Sequence, residues 1–281
     1  MKNIKNYVLE NEKILKEWKT KKNYREEQFA RDGIMFKGEF YFDGQNWRRQ
    51  NGNENQMWSE APLRILYITK DQNVGKEEDG RLGDAWDVRG ETYHYPDREI
   101  MPEQNVLFRK YAFHRNLVYT LYGLLENKPE KDMIEYNNII DSEALKVSDD
   151  NPFARINVKK LAGSSSISNN VLRGYLEQDR DIILRQIDSL DADIMVCCGY
   201  SESLDKNGSS GNLLLDFLIE NGYEFKCIEP NWVYYDKKKN KIAINTWHLS
   251  ARLSSEFYYS EMIGAYRKFL KKYPDFVKSH R

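Results

Sequence analysis

Hydrophobic positions near the start of the chain fall at helical spacing. Ile4, Tyr7, Val8, Ile14, Leu15 and Trp18 recur among Lys and Glu, which predicts an amphipathic N-terminal helix. From Asp32 to Glu60 the periodicity fails: Asp-Gly at 32 and 43, Asn-Gly at 51, and Phe36, Phe40, Tyr41, Phe42, Trp47 and Trp58 predict turns carrying aromatic anchors. Leu63 to Ile68 is nearly continuous in apolar residues, the pattern of a strand covered on both faces in a parallel sheet, and it ends at Thr69-Lys70-Asp71-Gln72-Asn73. Val74 to Glu103 is charged, carries Gly75, Gly80, Gly83 and Gly90, and reads as a long loop or irregular lid. Val106, Leu107, Lys110, Tyr111, His114, Leu117, Val118, Leu121, Leu124 and Leu125 then mark one face of a helix of about six turns.

The strand-loop-helix order repeats. Phe153 to Lys159 predicts a second strand, followed by the turn Gly163-Ser164-Ser165-Ser166 and one helix carrying Leu172, Tyr175, Leu176, Ile182, Ile183, Ile187 and Leu190 on its apolar side. Asp193 to Cys198 is a third apolar run. A helix at Leu213 to Ile219 leads to Tyr223 to Ile228, which reads as another βαβ step. Trp232 to Tyr235 and Lys241 to Thr246 flank a Lys-rich turn as a hairpin or as neighbouring strands, and Phe257 to Tyr273 closes the pattern as an amphipathic helix. Strands alternating with helices predict an α/β fold, a three-layer α/β/α arrangement around a mostly parallel sheet, with a site at the carboxyl ends of the strands. The domain reading is a core over residues 61–281, on which the helix and aromatic-rich segment of residues 1–60 pack.

Composition adds exclusions. The 281 residues carry 43 Lys+Arg against 44 Asp+Glu, so the net charge of -1 argues against holding nucleic acid by bulk electrostatics and leaves only a local basic patch for that task. No run approaches the roughly 18 apolar residues of a membrane span, and Met-Lys-Asn-Ile-Lys-Asn lacks the apolar core of a secretory signal. The expectation is a cytoplasmic protein without membrane association. Three cysteines cannot make a paired framework, and Cys197 and Cys198 sit in an apolar run as buried thiols. No C-x-x-C, H-E-x-x-H, P-loop or G-x-S-x-G pattern occurs, so metal, ATPase and serine-hydrolase chemistries are set aside and no cofactor is expected.

Three residues at strand ends carry the candidate chemistry: Asp71, Asn157 and His248. A carboxylate activates water, an amide reads donor and acceptor edges, and an imidazole stabilises a leaving anion; together they suit attack beside a small polar ring. Each also has a plainer use. Asp71 suits a turn or a helix cap, Asn157 a loop backbone in need of a partner, and His248 a satisfied structural position.

The stretches Leu66-Tyr67-Ile68-Thr69-Lys70-Asp71-Gln72-Asn73, Arg155-Ile156-Asn157-Val158-Lys159-Lys160 and Thr246-Trp247-His248-Leu249-Ser250 resemble, in order and placement, the motifs of the uracil-DNA glycosylase superfamily. Asp193-Ile194-Met195-Val196-Cys197-Cys198-Gly199 between them is similar to the family's strand before a glycine and a small-residue turn. The likeness covers about residues 61 to 270, and it is greatest to an uncharacterised bacterial branch whose apolar strand ends in a Lys-acid-x-Asn turn. Thr69, Gln72 and Asn73 stand where the family usually has a glycine, a proline and a stacking aromatic. The resemblance implies the family's fold and removal of uracil or another altered base from DNA, as in repair. Asp71 would activate water for attack at the sugar C1′, Asn157 would bond the edge of an extruded base, with Asn73 beside it, and His248 would stabilise the departing base. Ser250 would hold the last turn near a phosphate. The target base would have to be flipped out or already single-stranded.

Around this trio Lys70, Lys159, Lys160 and Arg252 are candidates for a phosphate-binding rim, and Ser164 lies in a turn whose N–H groups suit an anion. Trp86 and Tyr93, in the long loop with His94 and Tyr95, are candidates to stack on a base. Two other readings stay open. One is a module that recognises a base, nucleotide or nucleic acid without cutting, motivated by the departures at Thr69, Gln72 and Asn73. The other is an enzyme on the same scaffold acting on free nucleosides or nucleotides. Oligomeric state is not legible.

Overall fold

The computed structural model describes residues 5–44, 47–76, 81–93, 108, 111–127, 132–163, 167–204, 210–229 and 232–277. Along these run α1 (Tyr7–Lys22), β1 (Gly33–Ile34), β2 (Phe40–Phe42), β3 (Trp47–Arg49), α2 (Glu54–Glu60), β4 (Ile65–Thr69), α3 (Ala112–Glu126), α4 (Asp141–Asp150), β5 (Ala154–Asn157), α5 (Asn169–Gln178), α6 (Arg180–Leu190), β6 (Ile194–Cys198), α7 (Leu213–Glu220), β7 (Lys226–Glu229), β8 (Val233–Asp236), β9 (Lys241–Thr246) and α8 (Ser255–Lys272). This is an α/β chain, and no described helix is long and apolar enough to cross a membrane. It divides into two compact units, Met1–Glu91 with Phe153–Ala192, and Thr92–Pro152 with Asp193–Arg281.

In the first unit the strands run β1, β5, β4. β4 and β5 are parallel, with Ile68 opposite Ile156 and Thr69 opposite Asn157, and every residue of both is buried, as their apolar runs require. β1 pairs antiparallel with β5, Gly33 opposite Arg155. α1 starts where the Asn6 side chain accepts the Leu9 N–H and stops where Asn23 turns left-handed at φ 53°. Its Leu15 and Trp18 are fully buried, and α1 packs on α6. The single helix expected across Leu172 to Leu190 is two. Asp179 leaves helical geometry at φ -111°, ψ 14°, ends α5, and directs its buried carboxylate to Lys22 at 2.5 Å.

In the second unit the order is β6, β9, β8, β7. β6 and β9 are parallel, with Val196 opposite Ile244 and Cys198 opposite Thr246. β8 and β9 form the expected hairpin, with Asn240 left-handed in the Lys-rich turn. The βαβ step expected from residue 193 to 228 is corrected. β7 pairs antiparallel with β8, beyond the hairpin, and β6 runs parallel to β9 rather than to β7. Local periodicity cannot distinguish these outcomes, because a strand reads alike in either direction. α8 lies against α3, where the bare Cα of Gly123 is required: a Cβ there would come within 2.7 Å of Ile263 and 2.8 Å of Tyr259. α4 carries a run of charges and has only Ala144, Leu145 and Ser148 buried.

Candidate functional site

The carboxyl ends of β4 and β5 gather the first group of candidate residues. The ladder continues past both strands, with Val158 N–H donating to Thr69 O at 3.0 Å and Lys159 N–H to Lys70 O at 2.9 Å. Further along, Gly163 N–H donates to Gln72 O, and Val74 N–H to Gly163 O. The segments after the two strands therefore run side by side, and Asp71 is held between them. Its carboxylate lies 3.3 Å from Lys159 Nζ, with side-chain exposures of 11% and 9%, so the pair is secluded from bulk water. Lys159 Nζ also donates to Leu161 O at 2.6 Å and stands 5.5 Å from the Tyr175 ring centroid.

Burial pushes the Asp71 carboxyl above its ordinary value, against the opposing pull of Lys159 and Lys70. Burial likewise pulls the half-buried Lys70 ammonium down, with Asp71 opposing. The net effect is a carboxylate more basic than one in water. Gly163 makes the arrangement possible, because a Cβ there would come 2.8 Å from both Asp71 Oδ2 and Lys159 Nζ.

Asn157 ends β5, 3% exposed. Thr69 Oγ1 lies 2.7 Å from Asn157 Oδ1 and 2.8 Å from Ile156 O, and Asn157 Nδ2 is buried without a hydrogen-bond partner. A hydroxyl has one proton to give. If Thr69 donates it to Ile156 O, the amide is better turned, with Nδ2 donating to Thr69. Either orientation leaves one end of the Asn157 amide unsatisfied in a buried place, which is costly unless something else binds it.

Lys160 is a correction. Expected on a phosphate rim, it is internal: its side chain and that of Asp32 are both 0% exposed. Lys160 Nζ donates to Asp32 Oδ1 at 2.7 Å and Oδ2 at 2.6 Å and to Asn157 O at 2.7 Å, and it lies 4.9 Å from the Trp18 ring centroid. Asp32 also accepts from Asn157 N–H at 2.8 Å and Gln186 Nε2 at 2.8 Å. Burial holds the Lys160 ammonium below the ordinary lysine value while Asp32 works against it.

The remaining residues of this unit are placed as follows. The Gln72 amide grips the backbone of Trp86 at both its N–H and C=O, at 3.2 and 3.0 Å. The Trp86 indole N–H donates to Glu91 Oε1 at 2.7 Å, and Glu91 in turn binds Arg155 at 2.8 Å. Trp86 is therefore half-buried in an anchored loop rather than an open platform for a base. Asn73 is exposed, and its side chain caps the Gly75 N–H. Ser164 lies outside the described residues, as do Ser165, Ser166, His94 and Tyr95. A concavity of about 610 Å³ along α1, lined by Lys13, Lys16, Tyr24, Phe29 and Arg31 among others, contains none of the predicted site residues.

In the second unit His248 follows β9 in a pinned turn. Asn116 Nδ2 donates to Leu249 O at 2.7 Å, Tyr258 Oη to Trp247 O at 2.9 Å, and Ala251 N–H to His248 O at 2.8 Å. The Ser250 N–H points at His248 Nδ1, 3.3 Å away, and Ser250 Oγ is 2.8 Å from the same atom. A backbone N–H can only donate, so Nδ1 is the acceptor and the neutral ring carries its proton on Nε2. The imidazole is half-buried and tilts on Phe113 at 5.8 Å. Ser250 and Arg252 are exposed. Tyr93 is corrected: only 7% exposed and packed against His114 at 5.2 Å, it offers no open face for stacking.

Sequence reasoning missed the groups that hold these ends in place. Asp32 was read only as part of a turn. Asn212, whose amide donates to Cys197 O and Asn245 Oδ1 at 2.8 Å each, ties the ends of β6 and β9 and was not singled out. Its signal was a polar residue immediately before the apolar run of α7. Among the described residues no three His, Cys, Asp or Glu side chains converge as a metal-binding set. No known family model matches the chain, and no curated protein matches it.

Proposed function

We propose that this chain is a hydrolase of the N-glycosidic bond in nucleic acid, on a three-layer α/β/α fold of the uracil-DNA glycosylase kind, removing uracil or another altered base. The observation that carries the reading is the Asp71 carboxylate. It is secluded beyond the end of a parallel strand, made more basic by burial, and seated against Lys159 over the bare Cα of Gly163.

In the reaction Asp71 orients a water and takes its proton as the oxygen bonds to C1′ of the sugar. The N-glycosidic bond breaks, and its electron pair leaves with the base nitrogen. The neutral His248 ring donates from Nε2 while Ser250 occupies Nδ1, which is the state required of a group that stabilises a base anion. The unsatisfied end of the Asn157 amide is the group suited to reading a base edge. Lys70, half-buried just past the end of β4, supplies local positive charge for phosphate, whereas Lys159 is taken up by Asp71.

A second reading is recognition without cleavage, on this same fold. It is favoured by the Lys159 ion pair, since a cation 3.3 Å from a carboxylate lowers its strength as a base. The test is incubation of the purified chain with single-stranded oligonucleotides containing uracil, hypoxanthine, xanthine or an oxidised pyrimidine, followed by alkaline treatment. Strand scission at one modified base, with the free base released, is expected. Binding without scission would replace hydrolysis by recognition, and absence of both at low salt would remove nucleic acid as the substrate.

A further inference from the structure

Adjacent lysines after β5 have opposite situations. Lys159 reaches Asp71 at the secluded site, whereas Lys160 turns inward to a carboxylate that is itself fully buried. The inward pair does more than neutralise charge. Asp32 Oδ2 accepts the Asn157 N–H at 2.8 Å, and Lys160 Nζ donates to the Asn157 C=O at 2.7 Å, so both main-chain polar atoms of one residue are held by the two ends of one ion pair. The Asn157 side chain is held separately by Thr69, and Lys159 follows two residues later along the same backbone.

Asp32 is fixed from two further directions, which are themselves bonded to each other. Asn11 Nδ2 donates to its backbone carbonyl at 2.7 Å, Gln186 Nε2 bonds its carboxylate at 2.8 Å, and Gln186 also bonds Asn11 Oδ1 at 2.9 Å. α1, β5 and α6 thus converge on the one residue that leads into β1. A fold seeking only stability gains little from a buried ion pair, because desolvating two charges offsets most of their attraction. What the pair supplies is a fixed geometry for the residue between the strand and the site.

We propose that Asp32 and Lys160 are positioning residues that set the Asp71–Lys159 distance by clamping the backbone of Asn157. The proposal shares its site with the hydrolase reading, and its consequence for catalysis rests on that reading. The geometric claim stands apart from it, so the test uses no substrate.

The first readout is the ¹³C-carboxyl NMR titration of Asp71 in the full chain carrying Asp32→Asn with Lys160→Met. This neutral pair leaves no lone buried charge and keeps a long side chain over Trp18. Lys159 should drift from Asp71 and the Asp71 midpoint should rise, by about 1–3 pH units if most of the Lys159 effect is lost; Lys159→Met in parallel marks the full effect. An Asp71 midpoint identical to that of the wild type in the folded double variant overturns the proposal. The second readout needs no variant: the Asn157 amide proton of the wild-type chain should exchange among the slowest of β4 and β5. Exchange as fast as in the exposed turns also overturns the proposal, whether or not the double variant folds. Failure of base release in the oligonucleotide assay would alter neither readout.

Discussion

Substituting Gly163 by alanine tests how the Asp71–Lys159 pair is held. The glycine does not occupy the left-handed region, so alanine meets no backbone strain and acts through contact alone. Its Cβ would stand 2.8 Å from Asp71 Oδ2 and 2.8 Å from Lys159 Nζ, which are now 3.3 Å apart. Pushing both atoms out to ordinary contact at a fixed angle widens their gap to about 4 Å. At an effective dielectric constant of about 20 the attraction then falls by about 0.9 kcal/mol. Conversion at 1.36 kcal/mol per pH unit gives a rise of about 0.6 unit in the Asp71 midpoint, since a weaker cation favours the protonated acid. Alanine also stiffens the unfolded chain by about 0.4–1 kcal/mol, so the melting temperature should move little and is the wrong readout. The assay is the ¹³C titration of Asp71. A midpoint that stays within about 0.2 unit of the wild type, or one that falls, would refute the reasoning that the bare Cα sets the pair.

Asp71 should also leave a pH signature in stability. Its folded value is raised above the ordinary 3.8, so the folded state holds the proton more tightly than the unfolded chain does. The stabilising contribution is full below the unfolded value and is lost as pH rises through the folded value. Denaturant melts should show the wild type losing stability relative to Asp71→Asn across that window, and a constant difference would contradict the shift. At His248, ¹⁵N spectra near neutral pH should show a protonated Nε2 and a bare Nδ1; the opposite tautomer would break the leaving-group assignment. Of the three thiols Cys227 is exposed while Cys197 and Cys198 are buried, with burial pushing the Cys197 thiol far up. One thiol should therefore label at once in the native chain and the other two only on unfolding, and three fast thiols would show that β6 is not covered.

The sequence made legible what depends on local pattern. Continuous apolar runs located β4, β6 and β9 to within two residues, and heptad-like spacing located α1 and α8. The positions of Asp71 and His248 beyond strand ends followed from the same runs. What escaped was pairing at a distance. Lys160 reads as a surface lysine because its partner Asp32 lies 128 residues away, and no local pattern couples them. The direction of β7 was hidden for a related reason, since its neighbour is decided by a hairpin later in the chain. The break at Asp179 escaped because Asp is tolerated within a helix, and only its burial against Lys22 shows why it ends one. The Asn157 amide was legible as a polar residue in an apolar run, but not that one end of it stays unsatisfied.

The central claim is that Asp71 activates water for cleavage of an N-glycosidic bond. The most direct measurement is single-turnover release of a modified base from a labelled oligonucleotide by wild type and Asp71→Asn, with strand binding followed in the same samples. The account requires alkali-labile abasic sites from the wild type, and an Asp71→Asn chain that is folded and binds equally but has lost at least about 100-fold in rate. Equal rates for the two chains, or binding by the wild type with no base released, would contradict it.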